Sequence, residues 1–236
     1  MQGVLQSQAS QTEAAEASLK RYLELSRTQA EAGTREERNR GLAQAYLNLA
    51  QIAEKRGDLA LAGAWLDRIQ SPQDLVATQS RRASLLARQG RLDEARRLLR
   101  ELPVRSPEDA RTKLMAEAQL LRDHRQFQAA YDLLGEAAAR GPADVDLLYE
   151  QALVAEKLGR FADMERLLRQ AIVLRPDFHH AYNALGYALA ERNLRLPEAK
   201  ELIRKALELS PGDALIIDSL GWVEFRMGNR AEAQRL

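Results

Sequence analysis

Hydrophobic residues recur along this chain three and four residues apart, the period of an amphipathic helix, and they come in blocks of two helices. The clearest block spans residues 179–211. Its two helical faces are marked first by Tyr182, Leu185 and Leu189, and then by Ala199, Ile203 and Ala206. Pro211 ends the second helix, because proline lacks an amide hydrogen and clashes with the preceding turn. The pattern therefore predicts a pair of antiparallel helices.

Each block carries a small residue at the same place in its first helix. These residues are Ala50, Ala83, Ala118, Ala152, Gly186 and Gly221, so the successive differences are 33, 35, 34, 34 and 35. The second helices carry small residues at Ala62, Ala95, Ala130, Ala199 and Ala233, and Met164 is the one bulky exception. Small residues let two helices approach closely, while the large residues beside them fill the space around the contact. A repeat of helical hairpins is the architecture that this spacing predicts.

The order of residues in one block is a large residue, Leu-Gly, another large residue, then alanine, a large residue and proline. This order resembles the tetratricopeptide repeat. The resemblance implies an all-α fold, a right-handed superhelical solenoid of helix-turn-helix repeats with about 12–13 helices. We expect an N-terminal helix within residues 1–42 and six units at 43–75, 76–110, 111–144, 145–178, 179–213 and 214–236, the last of them incomplete.

The N-terminal segment has two interpretations. Residues 5–32 lack proline and read as one helix, in which Ala15, Leu19 and Tyr22 follow the spacing of a repeat's second helix. It is either the remnant of a preceding unit or a solvated capping helix.

Turns inside the hairpins are marked by glycine, which takes the left-handed conformation that ends many helices. The glycines are Gly57, Gly90, Gly159 and Gly228, and Arg125 and Asn193 stand at the same place in the other two units. Near the end of the second unit, Pro103 predicts that a helix finishes at about Leu102.

Composition excludes several classes of function. With 35 basic and 34 acidic residues the net charge is +1, so no strong field selects nucleic acid. No cysteine is present, which excludes disulfides and thiolate metal sites in this span. No apolar run approaches the roughly 18 residues that a membrane-spanning helix needs.

Catalytic and cofactor motifs are missing too. The sequence has no glycine-rich phosphate loop, no His-Glu-x-x-His and no Gly-x-Ser-x-Gly. His179 and His180 are adjacent, and neighbours on a helix diverge by about 100°, which disfavours a shared metal. We therefore expect no enzyme activity, no metal and no cofactor.

Binding residues are expected on the first helix of each unit. In tetratricopeptide proteins, positions 2, 5, 9 and 12 of a unit line the inner surface, and this resemblance implies a partner-binding groove here. Its residues would be Met115, Gln119, Tyr149, Leu153, Asn183, Tyr187, Asp218, Trp222 and Phe225. Large aromatic side chains facing solvent are typical binding anchors. The alternative is that Trp222 or Phe225 packs against the missing neighbour of the incomplete last unit.

The run from Asn183 to Ala233 carries a narrower pattern. It contains Leu-Gly-Tyr, an inserted residue before Glu-Ala, and Asp-Ser-Leu-Gly-Trp-Val. These motifs are similar to those of proteobacterial tetratricopeptide outer-membrane lipoproteins. The resemblance implies an adaptor that binds a periplasmic carboxyl-terminal processing protease and presents its protein substrates, cell-wall hydrolases. It also implies a periplasmic location, attached to the outer membrane through a lipid anchor outside this chain.

A second hypothesis is a generic peptide-binding or assembly scaffold with no protease partner. Both hypotheses make the protein a non-catalytic binder of proteins or peptides. The lysine and asparagine set with which some tetratricopeptide domains hold a C-terminal carboxylate is not present at these positions, which disfavours a receptor for chaperone tails.

Overall fold

The computed structural model describes residues 2–28, 35–69 and 75–236. The regular elements in these ranges are helices. The helices are α1 (Gln2–Thr28), α2 (Arg35–Lys55), α3 (Leu59–Leu66), α4 (Leu75–Arg88), α5 (Leu92–Glu101), α6 (Pro107–Asp123), α7 (Phe127–Arg140), α8 (Val145–Lys157), α9 (Phe161–Leu174), α10 (His179–Glu191), α11 (Leu196–Leu209), α12 (Ala214–Arg226) and α13 (Arg230–Arg235). The predicted all-α fold is confirmed.

The chain divides within α6 into two compact units, residues 1–120 and 121–236. In the first unit α2 packs against α3 and α4 against α5. Ala50 and Ala62 are fully buried where the first of these pairs meets, and Ala83 and Ala95 are fully buried in the second. The small residues thus form the helix contacts for which the sequence predicts them.

α1 packs against α2 in the first unit. Leu23 of α1 is buried with Ala45 and Leu49, and Glu16 forms an ion pair with Arg56 beyond the end of α2. The helix therefore contributes an apolar face to this unit. The end of the predicted helix, residues 29–32, lies outside the described residues.

In the second unit one hydrophobic core runs through α8, α9, α10, α11 and α12. Leu185 of α10, Ile203 of α11 and Leu168 of α9 are fully buried within it. α10 packs against α9, α11 and α12, so it is the central helix of this unit. Burial of each such leucine or isoleucine stabilises the fold by about 1.5–3 kcal/mol.

The turns inside the hairpins share one backbone conformation. Gly159 has φ +70° and Gly228 has φ +87°, as the glycine pattern predicts. Arg125 and Asn193 take φ 58° and 57° at the equivalent places, although both carry a Cβ. Packing of the two helices therefore imposes the left-handed residue even where the sequence supplies no glycine.

Pro103 also acts as predicted. α5 ends at Glu101, and Leu102 is already extended at φ −61° and ψ 129°. The residue before a proline is pushed out of the helical region by the proline ring.

Side-chain caps begin two helices of the second unit. The carboxylate of Asp213 accepts hydrogen bonds from the backbone amides of Leu215 (2.9 Å) and Ile216 (3.4 Å) at the start of α12. Free amides at a helix start need such an acceptor. This cap holds the helix that carries several of the candidate binding residues.

Replacing Asp213 with alanine is expected to lower the free energy of unfolding by about 1 kcal/mol, because two amides of α12 lose their acceptor. Urea denaturation followed by circular dichroism measures the change. Gln126, which precedes α7 and makes no side-chain cap bond, is the control. An equal loss in Gln126→Ala and Asp213→Ala would contradict a specific capping role.

Candidate functional site

Two aromatic side chains face solvent on neighbouring first helices of the second unit. Tyr187 on α10 is 39% exposed and Phe225 on α12 is 49% exposed. Both stand at repeat positions for which the sequence predicts a binding surface. Exposed large aromatics that lie close together are a common feature of protein-binding surfaces.

Two other candidate residues, Tyr149 and Trp222, are more buried than Tyr187 and Phe225. Tyr149 packs edge-on against Phe178, with ring centroids 5.2 Å apart, and Trp222 stacks on Phe225 at 5.6 Å. Both Tyr149 and Trp222 also contact the hydrophobic core. The indole Nε1 of Trp222 is buried with no hydrogen-bond partner among the described residues. Both side chains are therefore partly taken up by packing against the core.

A cavity of about 1000 Å³ lies beside these residues. We call it the α10–α12–α13 groove, after the helices that line it. Four of the predicted residues line this groove: Tyr187, Asp218, Trp222 and Phe225. Its size is at the upper end of the range for pockets that hold a compact ligand, and is sufficient for several side chains of a protein partner.

The remaining predicted residues, Tyr149 among them, lie outside the groove. Leu153 on α8 and Asn183 on α10 are partly buried, and the side-chain oxygen of Asn183 is buried without a hydrogen-bond partner in the described chain. Met115, partly buried, and Gln119, exposed, lie on α6 in the first unit.

The groove also contains residues that the repeat positions do not predict. Glu191, Ile217 and Arg230 line it together with the predicted residues. Glu191 follows Tyr187 by four residues, so the two share a helical face, and this spacing could have indicated it. No sequence signal indicated Arg230, because its place depends on how α13 packs.

Negative charge in the groove is concentrated around Tyr187. Partial burial raises the pKa of the Tyr187 hydroxyl, and the negative charges of Glu191, Asp218 and Glu156 raise it further. Burial likewise raises the pKa of the Tyr149 hydroxyl, and the negative charge of Glu150 raises it further. Both tyrosines therefore remain neutral hydrogen-bonding groups at neutral pH.

The two adjacent histidines behave differently from the prediction. The rings of His179 and His180 lie 3.9 Å apart, so the expected divergence is wrong at this helix start, where α10 begins immediately after Phe178. Burial lowers the pKa of His180, and the neighbouring His179 lowers it further. Across the residues that the structure describes, no group of three potential ligands could hold a metal ion.

None of the described helices combines the length and the apolar character needed to cross a bilayer. The longest, α1, has 27 residues, and its composition is polar.

A family model described as tetratricopeptide repeat matches residues 115–164 and 149–214. Among curated proteins, the chain is 38% identical over 191 residues to the TPR repeat-containing protein PA4667 of Pseudomonas aeruginosa. This match covers 81% of the chain and 32% of the relative, so the chain spans about a third of that protein's length. A shorter match, 37% identical over 81 residues, joins 34% of the chain to 9% of the human Protein O-mannosyl-transferase TMTC3.

Solved structures share the fold at low sequence identity. A tetratricopeptide repeat protein from Parabacteroides merdae superposes with a TM-score of 0.55 at 16% identity, covering 82% of this chain and 77% of the other. The MamA RS-1 ArsTM double mutant gives a TM-score of 0.54 at 21% identity, covering 69% and 90%. Repeat spacing, helical hairpins and these matches lead to one conclusion: the chain carries tetratricopeptide repeats, which the family model matches within residues 115–214.

Proposed function

We propose that this protein is a non-catalytic adaptor that binds other proteins through the α10–α12–α13 groove. The observation that carries the proposal is the pair of exposed aromatic side chains, Tyr187 and Phe225, at the edge of a cavity of about 1000 Å³. Burying two such side chains against a partner releases a large apolar area from water, and aromatic anchors dominate many interfaces.

The resemblance of residues 183–233 extends the proposal to particular partners. On that basis the protein binds a periplasmic carboxyl-terminal processing protease and presents cell-wall hydrolases to it. A scaffold that holds enzyme and substrate together raises the local concentration of one near the other without chemistry of its own. On the same basis we propose that the full-length protein lies in the periplasm, held at the outer membrane by a lipid anchor outside this chain.

The second candidate is a scaffold that binds peptides or assembles proteins without any protease. The groove itself favours neither candidate, because aromatic anchors serve any apolar partner. What separates the two is the identity of the partner.

The test is direct binding between this chain and a purified processing protease of the carboxyl-terminal class, measured by biolayer interferometry. The protease adaptor predicts saturable binding and faster cleavage of a cell-wall hydrolase when the chain is present. A chain that binds short peptides but neither protease nor hydrolase would support the second candidate.

Replacing both Tyr187 and Phe225 with alanine is expected to weaken partner binding by about tenfold or more, as loss of an interface anchor typically costs 1–2 kcal/mol. Far-UV circular dichroism should remain unchanged, because both side chains are exposed. Trp222 is unsuitable for this test, since it also contacts the core. Phe161, an exposed aromatic on α9 outside the groove, is the matched control. Unchanged affinity in the double variant would remove the groove from the proposal.

A further inference from the structure

Three carboxylates from three successive first helices act on Tyr187. Glu156 is on α8, Glu191 on α10 and Asp218 on α12, and the negative charge of each affects the tyrosine hydroxyl. Glu191 and Asp218 also line the groove directly. The helices thus bring together acidic side chains that are far apart in the sequence.

Several carboxylates elsewhere in the second unit form ion pairs. Glu165 forms ion pairs with Arg169 and Arg195, and Glu224 forms one with Lys200. Within the part of the chain that the structure describes, no ion pair joins Glu156, Glu191 or Asp218 to a basic side chain. Their negative charge is therefore available to a partner.

The acidic side of the groove adjoins an apolar wall. Ile217, Trp222 and Phe225 line it on α12, and Arg230 of α13 is the basic residue among the lining side chains. A second cationic side chain, Arg226, lies over the Trp222 ring at 5.5 Å. Arg226 on α12 and Arg230 on α13 are basic, whereas Glu191 on α10 and Asp218 on α12 bring negative charge to the groove beside Tyr187. A ligand that fits this arrangement has a cation beside a large apolar group.

We propose that the α10–α12–α13 groove binds a segment of a partner protein in which a lysine or arginine stands next to a large apolar residue. The inference rests on the proposed function, since it names the chemistry of the partner at the same site. The cationic group lies against Glu191 and Asp218, and the apolar side chain packs on Phe225 and Ile217. Opposite charges at an interface select the partner and increase its association rate, while an acidic segment meets repulsion at the same place.

The exposed ring of Tyr187 adds to this preference for a cation. The face of an aromatic ring attracts ammonium and guanidinium groups, and three nearby carboxylates strengthen the local negative potential. Association should therefore weaken as salt concentration rises, because exposed charges are screened over about 10 Å at 0.1 M ionic strength.

The test uses two fluorescein-labelled synthetic peptides with a central phenylalanine, flanked by lysines in one and by glutamates in the other. Fluorescence anisotropy at low salt is expected to show the lysine peptide binding about tenfold more tightly. The double variant Glu191→Gln with Asp218→Asn should remove most of that difference. The control is Glu201→Gln with Glu208→Gln, which changes the net charge equally at exposed ion pairs on α11 that contribute little.

Equal binding of the two peptides, a preference for the glutamate peptide, or a preference that survives in the Glu191 and Asp218 variant would overturn the inference. Failure of both peptides to bind would overturn it as well. The proposed function is judged separately, by the loss of protease binding in the Tyr187 and Phe225 variant. If that loss is seen while the peptides show no charge preference, the adaptor stands and only the cation preference is wrong.

Discussion

Replacement of Gly186 with leucine is expected to lower the free energy of unfolding by about 3 kcal/mol, at the upper end of the usual range for overpacking. A Cβ at this position would lie 2.6 Å from Cγ1 of Ile203 and 2.8 Å from the carbonyl oxygen of Ala199. Ile203 is fully buried and the carbonyl belongs to the backbone of α11, so neither can move away freely. Alanine, with a Cβ alone, should already be destabilising.

The protein has one tryptophan in each unit, Trp65 and Trp222, which makes the measurement specific. In a Trp65→Phe background, urea denaturation followed by tryptophan fluorescence reports on the second unit through Trp222. We expect the midpoint of this transition to shift to lower urea in Gly186→Ala and further in Gly186→Leu.

Gly221 provides the matched control, since it occupies the same place in the next repeat. A Cβ there would lie 3.6 Å from the Ala233 carbonyl oxygen and 3.8 Å from Cβ of Leu236, which is ordinary contact. Gly221→Ala should be neutral or stabilising by up to about 1 kcal/mol, because alanine favours the helix more than glycine does. If Gly186→Ala and Gly221→Ala behave alike, the close approach of α10 and α11 does not govern stability.

This contrast shows how far the sequence predicts the fold. The repeat of small residues predicts the helical hairpins and their contacts, and Ala62, Ala95, Ala130 and Ala199 are all fully buried as a result. The sequence does not distinguish Gly186, which must be glycine, from Gly221, which can accept a Cβ. That difference comes from the distance between two helices, and the helices are joined by a turn in which Arg195 takes the left-handed conformation at φ 44°.

The candidate site, like the fold, is predicted by the sequence only in part. Tyr187, Asp218, Trp222 and Phe225, which the repeat positions select, line one groove. They do not predict how deeply each side chain lies, because Tyr149 turns onto Phe178 while Phe225 remains half exposed. Burial of this kind is set by the tertiary packing around each side chain, and the repeat position alone carries no information about that packing.

The second large effect is expected at Lys200. Its Nζ lies 2.5 Å from Oε1 of Glu224, whose side chain is only 3% exposed, and the amide of Asn229 donates to the other carboxylate oxygen at 2.7 Å. Burial by itself would raise the pKa of Glu224. The hydrogen bonds from Lys200 and Asn229 outweigh it and hold the pKa below its ordinary value. Replacing Lys200 with methionine leaves a buried carboxylate without its cation and should cost about 3–5 kcal/mol at neutral pH.

The cost in Lys200→Met depends on pH in a defined direction. With the cation gone, burial dominates and the pKa of Glu224 rises above its unfolded value of about 4.3. A carboxyl group with a raised folded pKa binds its proton more tightly in the folded state, so it destabilises the fold as pH increases through that pKa. In the parent protein the depressed pKa acts in the opposite sense. Its contribution is present at neutral pH and is lost as pH falls through the folded value.

The difference in stability between parent and Lys200→Met should therefore be large at pH 7 and shrink towards pH 4, where Glu224 becomes neutral in the variant. Adding Glu224→Gln to Lys200→Met removes the buried charge and should recover part of the loss at pH 7, which a double-mutant cycle quantifies. A deficit that is the same at both pH values, or that Glu224→Gln does not reduce, would mean that the loss comes from the packing of the Lys200 side chain alone. The buried pair would then act as a spacer between α11 and α12, and its charge would contribute nothing to how the two helices are joined.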